Sequence, residues 1–156
     1  MTTRFVERPA DPPVDEIDRR LVDLLTGDGR LSVSELAGRA GISRANAYHR
    51  LGRLRETGVI RGFTVRVDPH RLGLHVTALV IVNGEQRSWR ELRAELRELP
   101  GVEYVALTAG GFDFVLLVRV PDVETLRDVV LEGLQDMRGV RSTQTMFVLD
   151  EDDRRA

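Results

Sequence analysis

Two segments 38 residues apart read alike, and this repeat constrains the fold more than any other feature of the chain. Residues 76–82 (VTALVIV) and 114–120 (FVLLVRV) are short apolar runs of the kind that form buried strands. Each is followed by a helix with a start signal. Ser88 with Glu91 makes a capping-box pattern, and Asp122 is a good N-cap. Apolar positions in the two helices correspond, Leu92 to Val130 and Leu96 to Leu134. Each helix runs out in a glycine turn, Leu99-Pro100-Gly101-Val102 and Met137-Arg138-Gly139-Val140. The turns lead into second strands over 103–109 and 141–149. Two successive β-α-β units predict an α+β, ferredoxin-like βαββαβ domain over residues 75–150, with four antiparallel strands and two helices on one face. The helices leave the other face open. A wet face should alternate apolar with polar, and 76–82 and 114–118 do not. The open faces are therefore expected to pair between two chains.

The first half carries a different period. Residues 31–68 read as helix, tight turn, helix and a two-stranded wing. Ser32 with Glu35 fits a capping box, and Val33, Leu36 and Ala37 share one apolar face. Gly41 can take the left-handed conformation that ends this helix, and Ser43 can cap the next. There Ala47, Leu51 and Leu54 point inward together, while Ala45, Asn46, His49 and Arg53 face out. Tyr48 lies between the faces and is expected to pack on the support helix. Gly58 closes the helix, and the alternating run 59–67 predicts a hairpin with Gly62 near its tip. Upstream, Asp15 starts a support helix with Ile17, Leu21, Leu24 and Leu25 as its stripe. The helices and wing span residues 15–68. Residues 69–74, opened by Pro69, predict a hinge. Residues 1–14, with three prolines, read as a flexible arm, and the charged tail 150–156 as frayed.

Charge marks the outward face of the second helix of the pair. From Arg39 to Arg66 there are seven arginines and one acid, Glu56, a local net of +6 in a chain of formal net charge −2. Residues 1–72 carry +3 and residues 73–156 carry −5, so the first half is the one suited to nucleic acid. A helix with short polar and basic side chains, flanked by arginines, suits a major groove and its phosphates. All 23 basic residues are arginine, which favours bidentate contacts to guanine and phosphate. With no cysteine, disulfides, thiol catalysis and thiolate metal sites are excluded, which fits a cytoplasmic protein. No segment has the apolar length for a membrane span. His49, His70 and His75 lack metal-like spacing, and there is no P-loop or nucleophile motif, so neither an enzyme nor a cofactor is expected.

These motifs together resemble the Lrp/AsnC, or feast/famine, family of transcriptional regulators. The resemblance runs over about residues 14–150. It rests on Val14-Asp15-Glu16-Ile17-Asp18, Asp28-Gly29-Arg30-Leu31-Ser32, Glu35-Leu36-Ala37, Gly41-Ile42-Ser43, Arg50-Leu51-Gly52-Arg53-Leu54, Gly58-Val59-Ile60-Arg61-Gly62-Phe63 and Asp68-Pro69 in the first half. In the second it rests on Pro100-Gly101-Val102, Gly110-Gly111-Phe112-Asp113-Phe114 and Gly139-Val140-Arg141-Ser142-Thr143-Gln144-Thr145. It implies a regulator that binds double-stranded operator DNA as homodimers or as octamers of four dimers. It also implies a small effector, usually an amino acid, held between subunits. Carried over, the effector residues are Gly110, Gly111, Phe112 and Asp113, with Thr143 and Thr145 opposite. Paired glycines allow close backbone approach, and a carboxylate can hold an α-ammonium group. Two departures stand out. The family commonly has an acid where this chain has Gly111, and the recognition helix opens Ser43-Arg44-Ala45-Asn46 rather than with a Ser-Pro type of start. A member that regulates transcription without an amino-acid effector is the alternative reading.

For DNA, Ser43 is expected to cap the recognition helix and donate to a phosphate. Arg44 and Arg50 would flank the groove on phosphates. Asn46 and His49 would read base edges, and Arg53 could do either. Arg61 and Arg66 on the wing would reach the backbone or the minor groove.

Overall fold

The computed structural model describes residues 14–84 and 89–151. Residues 1–13 of the arm expected over 1–14, the Ser88 cap and the tail beyond Glu151 lie outside the described residues. The chain forms two compact units that part between Val65 and Arg66.

The first unit holds three helices, α1 (Glu16–Gly27), α2 (Val33–Ala40) and α3 (Arg44–Glu56). Each begins on the side chain the sequence supplies. Asp15 and Asp18 form a reciprocal capping box on α1, and Ser32 and Glu35 form one on α2. The Ser43 hydroxyl accepts from Asn46 N–H at 3.2 Å to start α3. Between α2 and α3 the chain turns at Gly41, where φ is +72°, a conformation open to glycine at little cost. Leu21, Leu36 and Ala40 form the buried centre, ringed by Ile17, Leu24, Leu25, Leu31, Ile42 and Leu51.

The segment after α3 departs from expectation. Residues 61–68 form no strand, so no hairpin stands over 59–67. A tight two-residue hairpin needs a positive φ at its turn, and Gly62 does not adopt one. An isolated two-stranded ribbon is also marginal in water. Phe63, Val65 and Val67 are exposed at 58, 78 and 55%.

The second unit is the expected βαββαβ sheet. Its elements are β1 (Val76–Gly84), α4 (Trp89–Glu98), β2 (Val102–Leu107), β3 (Phe114–Val120), α5 (Val123–Asp128) with a π-helical continuation at Val129–Leu134, and β4 (Val140–Phe147). The strands are all antiparallel in the order β2-β3-β1-β4. The predicted hinge contains one 3₁₀ turn, His70–Leu72, closed by Gly73 in the left-handed region.

Register sorts the side chains. Ala78, Val80 and Val82 of β1 lie across from Val118, Leu116 and Phe114 of β3, and all six are buried with Leu92, Leu96, Leu126, Val129 and Leu134 from the helices. The opposite face carries two apolar rows. Tyr104, Leu117, Leu79 and Met146 make one, and Ala106, Val115 and Ile81, ending at the polar Gln144, make the other. The repeat holds at Leu92, Leu96 and Leu134, but Val129 rather than Val130 is the buried partner. The π turn explains the slip, because its i→i+5 bonding brings Val129 and Leu134 into line.

The glycine turn before β2 is tighter than the repeat alone suggests. A Cβ on Gly101 would stand 2.7 Å from the Arg119 carbonyl oxygen, at a φ of +75°. The tail also differs at its start. Glu151 is held at both carboxylate oxygens by Arg119, each 2.7 Å from Nη2, and Glu103 pairs with the same guanidinium.

Candidate nucleic-acid interface and effector loop

In α3, the inward residues Ala47 and Leu54 are buried and Leu51 is half-buried, which turns Ser43, Arg44, Ala45, Asn46 and His49 outward, all exposed. Two expected residues do not join them. Arg50 and Arg53, read as groove and phosphate contacts, are half-buried and turned back onto α1. Arg50 Nη1 donates to Asp15 Oδ2 at 2.6 Å and to Asp18 Oδ1 at 2.9 Å, and Arg53 Nη2 donates to the other Asp18 oxygen. Asp18 itself is fully buried. An arginine stem is long enough to carry its head round a helix to a carboxylate, so position on the helical wheel does not settle where its charge goes.

Burial pushes the Asp18 carboxyl up, but hydrogen bonds from Arg50, from the Asp15 N–H and from Arg53 outweigh it and hold the group below the usual carboxylate range. The hydrogen bond from Arg50 also lowers Asp15. The result is an ionic lock that fixes the recognition helix on the support helix. The signal for it was present in the sequence: Asp18 shares its helical face with Leu21 and Leu25, so a carboxylate sits in the apolar stripe.

Tyr48 corrects the opposite way. It is 74% exposed rather than packed on α1, and it stands on the outer surface beside His49. Arg61 is exposed and borders, with Arg55, Glu56 and Phe63, a groove between α3 and the chain that follows it. Arg66 is exposed and falls on the far side of the division between the units.

The candidate effector loop joins β2 to β3. Gly110, Gly111 and Phe112 are exposed, and Gly110 has a φ of +145°. Thr108 clamps the loop: its N–H donates to the Asp113 carbonyl at 2.9 Å and its hydroxyl to the Phe112 carbonyl. Asp113 is half-buried, and its Oδ2 accepts from Gly84 N–H at 2.8 Å at the end of β1. One carboxylate oxygen therefore already ties the loop to the sheet. Thr143 and Thr145 lie on β4 across from Val82 and Val80, so their half-buried side chains share the helix-covered face. Within one chain, strand β1 stands between β4 and the loop strand β3, and the two threonines are not brought together with residues 110–113. No helix among the described residues is long and apolar enough to cross a membrane.

Comparison with known proteins agrees with this architecture. Residues 14–61 match the winged helix-turn-helix DNA-binding family, and residues 77–155 match the Lrp/AsnC ligand binding domain. The transcriptional regulator AldR of Mycobacterium tuberculosis is 37% identical over 146 residues, covering 92% of this chain and 80% of that one. The regulator FL11 of Pyrococcus horikoshii is 32% identical over 137 residues, covering 88% and 90%. A Neisseria meningitidis transcriptional regulator solved in complex with L-methionine superposes with a TM-score of 0.83 at 27% identity, over 91% of this chain and 94% of that one. These relatives are transcriptional regulators and not enzymes. With a helix-turn-helix unit followed by a four-stranded ligand-binding sheet, the chain belongs to the Lrp/AsnC family of DNA-binding transcriptional regulators.

Proposed function

We propose that the protein reads specific operator sequences through the outward face of α3 and that a small effector, an amino acid, tunes its assembly or its DNA affinity. The observation that carries the DNA half is the exposed row Ser43, Arg44, Asn46, Tyr48 and His49 on a capped helix locked from behind by Asp18. Of the two arginines read as phosphate contacts, Arg44 keeps that role and Arg50 gives it up, because Arg50 is occupied by two carboxylates. Arg44→Ala is expected to weaken binding to all sequences and to lower the salt slope by about one. Fluorescence anisotropy across a salt series checks both, and an unchanged slope would remove Arg44 from the interface.

The effector half rests on the loop at 110–113 and on the methionine-bound Neisseria relative. The apolar rows of the open sheet face support a homodimer, with octamers as the larger assembly. Asp113 remains the group to meet an α-ammonium, with the exposed glycine backbone beside it. A cytoplasmic location fits this DNA-binding role. A second reading, regulation without an amino-acid effector, is favoured by one feature: the Asp113 bond to Gly84, in a loop that has no acid at Gly111.

One experiment separates the two. Anisotropy is measured on duplex DNA from upstream of the protein's own gene, with and without a pool of the twenty amino acids. A shift with the pool, lost in Asp113→Ala, supports the effector reading. Tight binding indifferent to the pool supports the second.

A further inference from the structure

The amide of Asn46 is held by its neighbour one turn along α3. Arg50 donates its Nε–H to Asn46 Oδ1 at 3.0 Å. The guanidinium is itself anchored by Asp15 and by the buried Asp18, at 2.6 and 2.9 Å. Arginine has donors and no acceptor, so only the carbonyl oxygen of the amide can face it. A turned amide would set two donors against each other beside a fixed positive charge. The bond is also charge-assisted, which makes it roughly twice as strong as a neutral one. One of the oxygen's two lone pairs is thus taken and the oxygen is drawn back along the helix toward Arg50, so the group that the exposed Asn46 offers an incoming ligand is its Nδ2 amino group.

We propose that Asn46 meets a base edge as a donor only, so that it selects guanine over adenine, with Arg50 as the positioning residue. This rests on the reading that α3 enters the major groove. An asparagine free to use both amide groups bonds adenine bidentately, its oxygen on N6 and its nitrogen on N7. With the oxygen committed to Arg50, the adenine N6 amino group would oppose the Asn46 amino group, donor against donor. Guanine presents O6 and N7 there, both acceptors.

The test is selection from a random duplex pool by the full-length chain, followed by affinity measurements on the enriched site. Wild type is expected to enrich guanine at one position per half-site. Asn46→Ala should lose that preference, with on the order of a tenfold drop in discrimination at that position alone. Asn46→Asp should move it to cytosine. Arg50 would hold one carboxylate oxygen and leave the other to accept from the cytosine N4 amino group. Arg50→Met keeps Arg53 on Asp18 and frees the amide to turn, so adenine should be admitted beside guanine. Mere loosening of the helix would weaken all sequences together and leave that ratio unmoved. Adenine at the Asn46-dependent position in wild type, or enrichment indifferent to Asn46→Ala, overturns the inference while keeping the groove reading. A pool in which wild type enriches nothing overturns both.

Discussion

An Arg50→Met/Arg53→Met protein is expected to lose about 3–5 kcal/mol of stability in its helix-turn-helix unit, because it leaves a buried carboxylate with no cation. Asp18 is fully buried and each of its oxygens accepts from one of these arginines. A carboxylate so placed is costly to desolvate alone, and the Asp15 N–H at 3.1 Å is its one remaining partner of those described. The effect should depend on pH in a stated direction. In the wild type the folded Asp18 is held below its ordinary value, so its contribution is complete above about pH 4 and fades as pH falls through the lowered value. In the double variant only the Asp15 N–H still opposes burial, which is the larger effect and raises Asp18, so that protein gains stability as the group takes up a proton. The gap between the two is therefore widest near neutrality and closes in acid. Adding Asp18→Leu should restore much of the loss at pH 7, since a buried ion cluster replaced whole is often tolerated. Urea denaturation followed by far-ultraviolet circular dichroism reads the helices, the larger part of which lies in this unit. A double variant as stable as wild type at pH 7 would make the lock ornamental.

Phe114→Ala is expected to cost the sheet unit about 3–5 kcal/mol, through lost burial and the cavity left behind. Phe114 is 1% exposed, opens β3 directly after Asp113, and pairs with Val82 on one side and Leu107 on the other. The cavity would open beneath the loop that Asp113 ties to Gly84, so loosening should spread to the candidate effector site. The chain's single tryptophan, Trp89, begins α4 and packs against this core, so its fluorescence reports the sheet unit. The tryptophan transition should shift to lower urea. The first unit has its own core, so its helices should keep their own midpoint. A loss below about 1 kcal/mol would mean that the core refills the space by repacking.

Much of the architecture is legible in the sequence. Caps at Asp15, Ser32, Ser43 and Asp122 involve residues three apart, and the Gly41 turn involves one backbone position. Such signals are local, so they survive in the linear chain. The 38-residue repeat added long-range topology because two copies of one pattern must form the same unit twice. It failed by one residue at Val129, where a π turn changed the period the alignment assumed.

The site was less legible, for a physical reason that Arg50, Arg53 and Tyr48 share. Helical periodicity assigns a direction to a Cβ, not to a charge several bonds away. Arg50 and Arg53 leave the outer face because a carboxylate on another helix reaches them, and Tyr48 faces water because nothing on α1 covers it. The hairpin expected over 59–67 failed similarly: alternation there reports strand propensity, while a hairpin also needs a turn that Gly62 does not make. Patterns between neighbours in the chain were enough to point to the family and to place the caps. Contacts between residues 32 to 35 apart, Asp15 and Asp18 with Arg50 and Arg53, decided which side chains of α3 stay on its outer face and which way Asn46 turns its amide. Those depend on distances that only the packing of α1 against α3 creates.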